Sequence, residues 1–147
     1  MQPNRMQLSR RHRAWLHSTF IVLFLSGAGW WILHRWFQVD TGFGAQLHPA
    51  QRWLLPLHGA VAMLVLILVG TLIPVHIKRG WQARRNRPQG VVFIAFIALL
   101  IGTGYALYYA GGESLRSGAS SAHTAIGLAL PAMLLWHIVS GRRTRRP

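Results

Sequence analysis

Four long apolar stretches separated by basic segments constrain the fold of this chain more than any other feature. They cover residues 14–37, 53–76, 91–111 and 119–140. Each holds at least about 20 residues, the length that a helix needs to cross a bilayer core. The connections are short, so consecutive helices are expected to be antiparallel neighbours. The sequence therefore predicts an all-α integral membrane protein, an up-down four-helix bundle forming one domain over residues 1–147.

The distribution of charge predicts the orientation of this bundle. The chain has a formal net charge of +14, and most of its 16 Lys and Arg residues lie in the two tails and in the middle loop. These three segments share one side of a four-span protein, and the positive-inside rule makes that side cytoplasmic. We therefore expect a multi-pass protein of the bacterial inner membrane, in contact with lipid and with both termini in the cytoplasm. A nucleic-acid partner is not expected, because the apolar spans interrupt the basic charge.

Four histidines lie at matched depths in these spans. His123 and His137 are fourteen residues apart in the fourth span, so a helix places them on one face, about 40° and about 21 Å apart. His17 lies as close to the cytoplasmic end of its span as His137 does, and His58 lies near the outer end, as His123 does. Ionisable groups are costly inside a bilayer. The pairs His17 with His137 and His58 with His123 therefore predict two sites, one above the other.

The chemistry of these pairs favours haem iron. The chain has no cysteine, which excludes thiolate ligands, iron–sulfur clusters and covalently attached haem. Two imidazoles suit a six-coordinate haem, whereas zinc needs further ligands that are not present at these depths. Two haem b groups are therefore expected, with Arg52 and Arg116 near the propionates of the outer haem and Arg13 near those of the inner one. Each arginine could equally anchor a helix end.

The remaining histidines are less favoured as metal ligands by their positions. His76 lies on the same face as His58 and about 27 Å away, which makes it a rival of His17 as the inner ligand. His34 is turned about 100° from His17 and is expected at the outer interface. His12 and His48 are expected in solvated loops. In the third span, Gly102-Thr103-Gly104 suits close helix packing or room for the edge of a flat cofactor.

The pattern resembles the four-helix di-haem cytochrome b superfamily, especially the membrane subunits of respiratory formate dehydrogenases and nickel–iron hydrogenases. The matching positions are His17, His58 in Leu57-His58-Gly59, His123 in Ser121-Ala122-His123-Thr124, and His137 in Leu135-Trp136-His137-Ile138. The resemblance covers nearly the whole chain. It implies an electron-transfer subunit between the quinone pool and a periplasmic redox protein. A quinone would then react near the inner haem, beside the basic loop that contains His76, Trp81, Asn86 and Gln89.

Two other functions compete with electron transfer. Histidines can relay protons in a proton-coupled transporter, although such proteins usually place acids within their spans. Both acids of this chain, Asp40 and Glu113, lie in or beside the outer loops. The third hypothesis is a structural membrane anchor without haem, and it predicts that all four histidines tolerate replacement by alanine.

Overall fold

Four long helices dominate the computed structural model, which describes residues 9–42, 44–84 and 87–143. They are α1 (Arg10–Trp36), α2 (Gln51–Leu72), α4 (Arg87–Tyr109) and α5 (Glu113–Arg143), and the short helix α3 (Lys78–Gln82) lies between α2 and α4. An 18-residue stretch within each long helix has a mean hydropathy of 1.5, 2.2, 2.3 and 1.5 in chain order, so each helix is long and apolar enough to cross a membrane. The predicted all-α, multi-pass character is therefore confirmed at this level.

The chain divides into two compact units between His76 and Ile77. In the first unit α1 packs against α2, and in the second α4 packs against α5. Leu16 and Val65 are buried apolar residues of the first unit, and Ala119 and Leu130 of the second. Each unit is thus a helical hairpin of two apolar helices.

The helices extend beyond the predicted spans. The Ser9 side chain caps α1 by accepting a hydrogen bond from the backbone N–H of His12 at 3.1 Å, as helix N-caps commonly do. His12 therefore lies within a helix, and its expected place in a loop was wrong. Likewise, α5 begins at Glu113, so the expected outer loop 112–118 is mostly helical. Polar side chains at a helix end do not disrupt its backbone hydrogen bonds, so the helix continues into residues of low hydropathy.

The connection between α1 and α2 contains a short antiparallel hairpin that was not predicted from the sequence. Strand β1 (Val39–Thr41) pairs with β2 (Gly44–Gln46), with Val39 opposite Gln46 and Thr41 opposite Gly44. Gly44 has φ +104°, a backbone conformation that glycine adopts at little cost. The hairpin joins the C-terminal end of α1 to the N-terminal end of α2.

A π-helical segment, Ile73–Ile77, follows α2. Pro74 lies within it and has no N–H to donate, and the carbonyl of Gly70 accepts from the N–H of Ile73 instead. The loss of one donor explains why the α-helical pattern changes here. The second span was predicted to remain helical to His76, but α2 ends at Leu72 and His76 belongs to the π-helical segment. By contrast, α5 is continuous through Pro131.

The helices present large apolar side chains outward. Met63 is 64% exposed and Ile67 65%, as expected for side chains that face lipid rather than a water-excluding core. The buried polar residues are few in the described part of the chain: Thr19, Ser26 and Gln51. Because burying a polar group is costly unless it is hydrogen-bonded, each of them needs a structural explanation.

Candidate functional site

His58 of α2 is held against α1. Its Nδ1 lies 3.0 Å from the carbonyl oxygen of Leu23 and 3.2 Å from the hydroxyl of Ser26. The ring also packs on Gly27, where a Cβ would come within 2.7 Å of its Cε1 atom. Only a residue without a side chain allows α1 to approach the imidazole this closely.

These contacts define the tautomer of His58. A carbonyl oxygen only accepts, so the contact with Leu23 requires Nδ1 to carry the hydrogen. The hydroxyl of Ser26 donates to the carbonyl of Leu23 at 3.0 Å and can accept from Nδ1–H as well. The lone pair of the neutral ring is then on Nε2.

His123 of α5 has an equivalent environment in the second unit. Its Nδ1 lies 2.9 Å from the hydroxyl of Thr103 in α4. That hydroxyl donates to the carbonyl of Leu99 at 2.7 Å, so it accepts the hydrogen of Nδ1 from His123. A Cβ on Gly104 would lie 3.4 Å from the Cε1 atom of His123. The lone pair of this imidazole is likewise on Nε2.

The two units therefore repeat one arrangement. Each first helix provides a hydroxyl followed by a glycine, Ser26-Gly27 in α1 and Thr103-Gly104 in α4. Each second helix provides a histidine whose Nδ1 contacts the hydroxyl and whose ring lies on the glycine. Metal-binding histidines almost always donate their second ring N–H to a protein oxygen, which orients the ring and raises its basicity. His58 and His123 thus share the Nδ1 contact that orients the rings of metal-binding histidines in other proteins.

His17 and His137, the histidines predicted to bind the inner haem, have different surroundings from His58 and His123. His137 is half-buried and stacks on Phe93 of α4, with ring centroids 5.1 Å apart and an interplanar angle of 21°. His17 is exposed on α1, about 100° around the helix from the buried Leu16. Each predicted pair takes one histidine from each unit: His17 and His58 from the first, His123 and His137 from the second.

The depth of the inner ligand in the first unit depends on which histidine supplies it. Ser26 contacts His58 and therefore marks the level of His58 on α1. His17 is nine residues before Ser26, or about 13.5 Å along α1, whereas His137 is fourteen residues, or about 21 Å, from His123. His76 is eighteen residues from His58, or about 27 Å if the rise is helical throughout. A ligand that matched the spacing in α5 would lie about 21 Å from the level of His58. His17 is about 7.5 Å closer to that level, and His76 is about 6 Å farther from it.

His12 is a third histidine at the inner end of this unit. It is fourteen residues before Ser26, about 21 Å along α1. However, it lies on the face that packs against α2, in line with the buried Leu16, and its Nε2 is 3.3 Å from the hydroxyl of Thr71. His17 lies on a different face of α1, away from that helix contact, and it remains the predicted inner ligand.

The predicted arginines are all exposed. The guanidinium of Arg52 lies 5.5 Å from the ring centre of Trp53, a cation–π contact that engages it locally. Arg116 lies in the first turn of α5, seven residues before His123, and Arg13 lies one turn before His17. Sequence reasoning missed Gln51, a buried residue of α2 that is seven residues before His58.

The residues predicted to border a quinone are only partly described. Asn86 lies outside the described residues. Trp81 is exposed, and Arg87 donates to its carbonyl oxygen at 2.7 Å while its guanidinium lies 4.9 Å from the indole centre. The Oε1 atom of Gln89 is buried and without a partner among the described residues. Gln89 lies one turn before Phe93, the residue that stacks on His137.

No group of three or more metal-binding side chains converges within residues 9–42, 44–84 and 87–143. A haem needs no such group, because its porphyrin occupies the equatorial positions of the iron and the protein supplies only the axial ligands. Comparison of the chain with known protein families, with curated proteins and with solved structures found no match. The case for a function therefore depends on the residues themselves.

Proposed function

We propose that this chain is a di-haem b-type membrane cytochrome that transfers electrons across the inner membrane. It would connect the quinone pool with a periplasmic redox partner, with both of its termini in the cytoplasm. The observation that carries the proposal is the repeated outer arrangement, in which the Nδ1 atoms of His58 and His123 contact protein oxygens and their rings lie on glycines. A structural anchor has no need of two imidazoles oriented in this way, and a proton-coupled transporter usually places acids within its spans.

In this proposal His58 and His123 bind the outer haem, and His17 and His137 bind the inner one. Bound haem supplies one-electron chemistry, with a potential that depends on its axial ligands and their hydrogen bonds. Ser26 and Thr103 hold the outer imidazoles in the tautomer that presents Nε2. The outward-facing apolar side chains of the helices keep the sites within the hydrocarbon region.

The test is the visible spectrum and haem content of the purified protein. We expect reduced b-type bands from two haems per chain. Replacing His58 or His123 by alanine should remove the outer centre and leave the inner one, and replacing His137 should do the reverse. The variants His34→Ala and His48→Ala are the controls and should retain both centres, because His34 stacks on Trp30 at 4.8 Å and His48 accepts from the backbone N–H of Ala50 at 3.2 Å.

Separate alanine variants of His12, His17 and His76 identify the inner ligand of the first unit. Loss of the inner centre in the His17 variant alone supports the proposed pair. A protein that takes up no pigment even when reconstituted with hemin contradicts the proposed function. If that colourless protein catalysed a pH-dependent flux, histidine-based transport would replace it.

A further inference from the structure

Basic side chains cluster at one end of the second unit. Within this unit Thr103 contacts His123 and Phe93 stacks on His137, so α4 and α5 are antiparallel. The end of α5 therefore lies at the level of the start of α4. We call the described cations at this level the basic end, which consists of Lys78 and Arg79 of α3, Arg84 in the following turn, Arg87 of α4 and Arg142 of α5.

The one side-chain carboxylate of the second unit is far from the basic end. Residues 77–147 contain a single acid, Glu113, and it lies at the start of α5, beyond the other end of α4. Helix α4 has 23 residues and is therefore about 35 Å long. The five cations repel one another without a nearby carboxylate of their own unit, so a bound anion would stabilise this arrangement.

A contact between Arg87 and Trp81 determines the geometry of the basic end. Two nitrogens of the guanidinium, Nε and Nη2, donate to the carbonyl oxygen of Trp81 at 3.1 and 2.7 Å, and the group lies 4.9 Å from the indole centre. This contact keeps α3 beside the start of α4. A guanidinium has five N–H donors, so the contact uses two and leaves three. Its planar set of donors matches the oxygens of a phosphate.

Exposed apolar surface adjoins these donors. The side chain of Trp81 is 53% exposed, and Val91 and Ile94, one and two turns beyond Arg87 in α4, are 49% and 46% exposed. Tryptophan is favoured at the level of the lipid headgroups, and basic residues are favoured beside the ends of a membrane-spanning helix. Donors for a phosphate thus lie beside a surface for acyl chains, a combination that suits a phospholipid better than a free anion.

We propose that the basic end binds the headgroup of an anionic phospholipid. The phosphodiester accepts hydrogen bonds from Arg87, and the neighbouring cations complement its negative charge. The acyl chains lie along the exposed apolar side chains of α4. A zwitterionic headgroup fits less well, because its ammonium group would face cations with no carboxylate of this unit beside it. The inference concerns the second unit alone and does not depend on haem.

The experiment measures the lipid selectivity of the full chain in phosphatidylcholine bilayers at low ionic strength. A trace of spin-labelled phosphatidylglycerol or spin-labelled phosphatidylcholine is added, and electron paramagnetic resonance gives the fraction of each label that the protein immobilises. We expect a preference for phosphatidylglycerol of roughly fivefold, the factor that corresponds to one cation acting on an anionic headgroup. Equal affinity for the two lipids contradicts the proposal.

Variants separate a defined site from diffuse attraction by the basic charge of the chain. The double variant Arg79→Gln/Arg87→Gln should lose most of the preference. The matched control Arg10→Gln/Arg11→Gln removes the same charge from the first turn of α1 and should keep most of it. Arg87→Lys retains the charge but not the planar donors, so the preference should fall, and this variant also serves if the double variant does not fold. Equal losses in the two double variants, or full preference in Arg87→Lys, would overturn the proposal.

A free phosphate is the other source of the same chemistry. The selectivity is therefore measured in sodium phosphate and in sodium chloride of equal ionic strength. An anionic lipid held by its headgroup and its chains should be preferred equally in both salts. Loss of the preference in phosphate alone would show a site for a free anion, and the assignment to a lipid would be wrong.

Discussion

Gly27 of α1 and His58 of α2 are in such close contact that a Cβ on the glycine would lie 2.7 Å from Cε1 of the imidazole. Replacing Gly27 by alanine must therefore displace the ring or separate the two helices, at a cost of roughly 1–3 kcal/mol for overpacking. We expect Gly27→Ala to lose most of the outer haem, measured as haem per chain and as loss of one reduced band.

Alanine variants of two other glycines provide comparisons for the Gly27 variant. At Gly104 a Cβ would lie 3.4 Å from His123, so a small shift accommodates it and Gly104→Ala should retain most of its haem. At Gly70 nothing lies within 4 Å of the added atom, and Gly70→Ala should behave as the unmodified protein. Equal haem content in the Gly27 and Gly70 variants would show that the contact with His58 has no bearing on the site.

The hydroxyls of Ser26 and Thr103 should differ in importance. Thr103→Val removes the oxygen that accepts from Nδ1 of His123 at 2.9 Å, and loss of such a partner typically weakens metal-site affinity by about 10–100-fold. Ser26→Ala should have a smaller effect, because Nδ1 of His58 retains the carbonyl oxygen of Leu23 at 3.0 Å. Titration of the outer site with hemin measures both.

Ser18→Ala is the control for these variants, since the Ser18 hydroxyl donates only to carbonyl oxygens of its own helix, such as that of Ala14 at 2.9 Å. It should leave the affinity for hemin unchanged. A larger loss in the Ser26 variant than in the Thr103 variant would be the opposite of what the hydrogen bonds predict.

Phe93 should affect the inner centre selectively. Its ring stacks on His137 at 5.1 Å, and an aromatic pair of this kind contributes about 0.5–1.5 kcal/mol beyond its buried area. Phe93→Ala should broaden or shift the inner haem spectrum and leave the outer one as it is. Phe37→Ala, at a residue that is 56% exposed, is the matched control, and an altered outer spectrum in the Phe93 variant would contradict the assignment.

The absence of cysteine makes the orientation directly testable. A single cysteine at Gln46 in β2 should react with a membrane-impermeant maleimide in intact cells, because the positive-inside rule places that hairpin outside. A single cysteine at Gln82 in α3 should react only after the cells are permeabilised. The reverse pattern would place the two termini outside the cell.

The number and type of the long helices could be predicted from hydropathy, whereas their ends could not. Spans of about 20 apolar residues are long enough to be unambiguous. The first turns of α1 and α5 contain Arg11 and Arg116. Charged residues lower the local hydropathy, so these turns fall outside the predicted spans although the helical backbone hydrogen bonds continue through them. The β1–β2 hairpin is too short for strand patterning to reveal it.

The histidines of the candidate site could be chosen from sequence, but their partners could not. Depth along a span follows from residue counting, so His58 and His123 are found by position. That Ser26 and Gly27 face His58 depends on how α1 rotates against α2, which no local pattern encodes. The one available signal is a similar pentapeptide pattern in both first helices: Leu23 precedes Ser26-Gly27 and Leu100 precedes Thr103-Gly104 at the same spacing.

Pro74 and the π-helical segment around it occupy the junction between the two units. A wider turn has poorer hydrogen-bond geometry than the α-helix on either side, and the proline has no N–H to contribute to it. Amide hydrogens of Ile73–Ile77 should consequently exchange with deuterated solvent sooner than those of α2. Local opening of the helical backbone between α2 and α3 should therefore begin in this single turn.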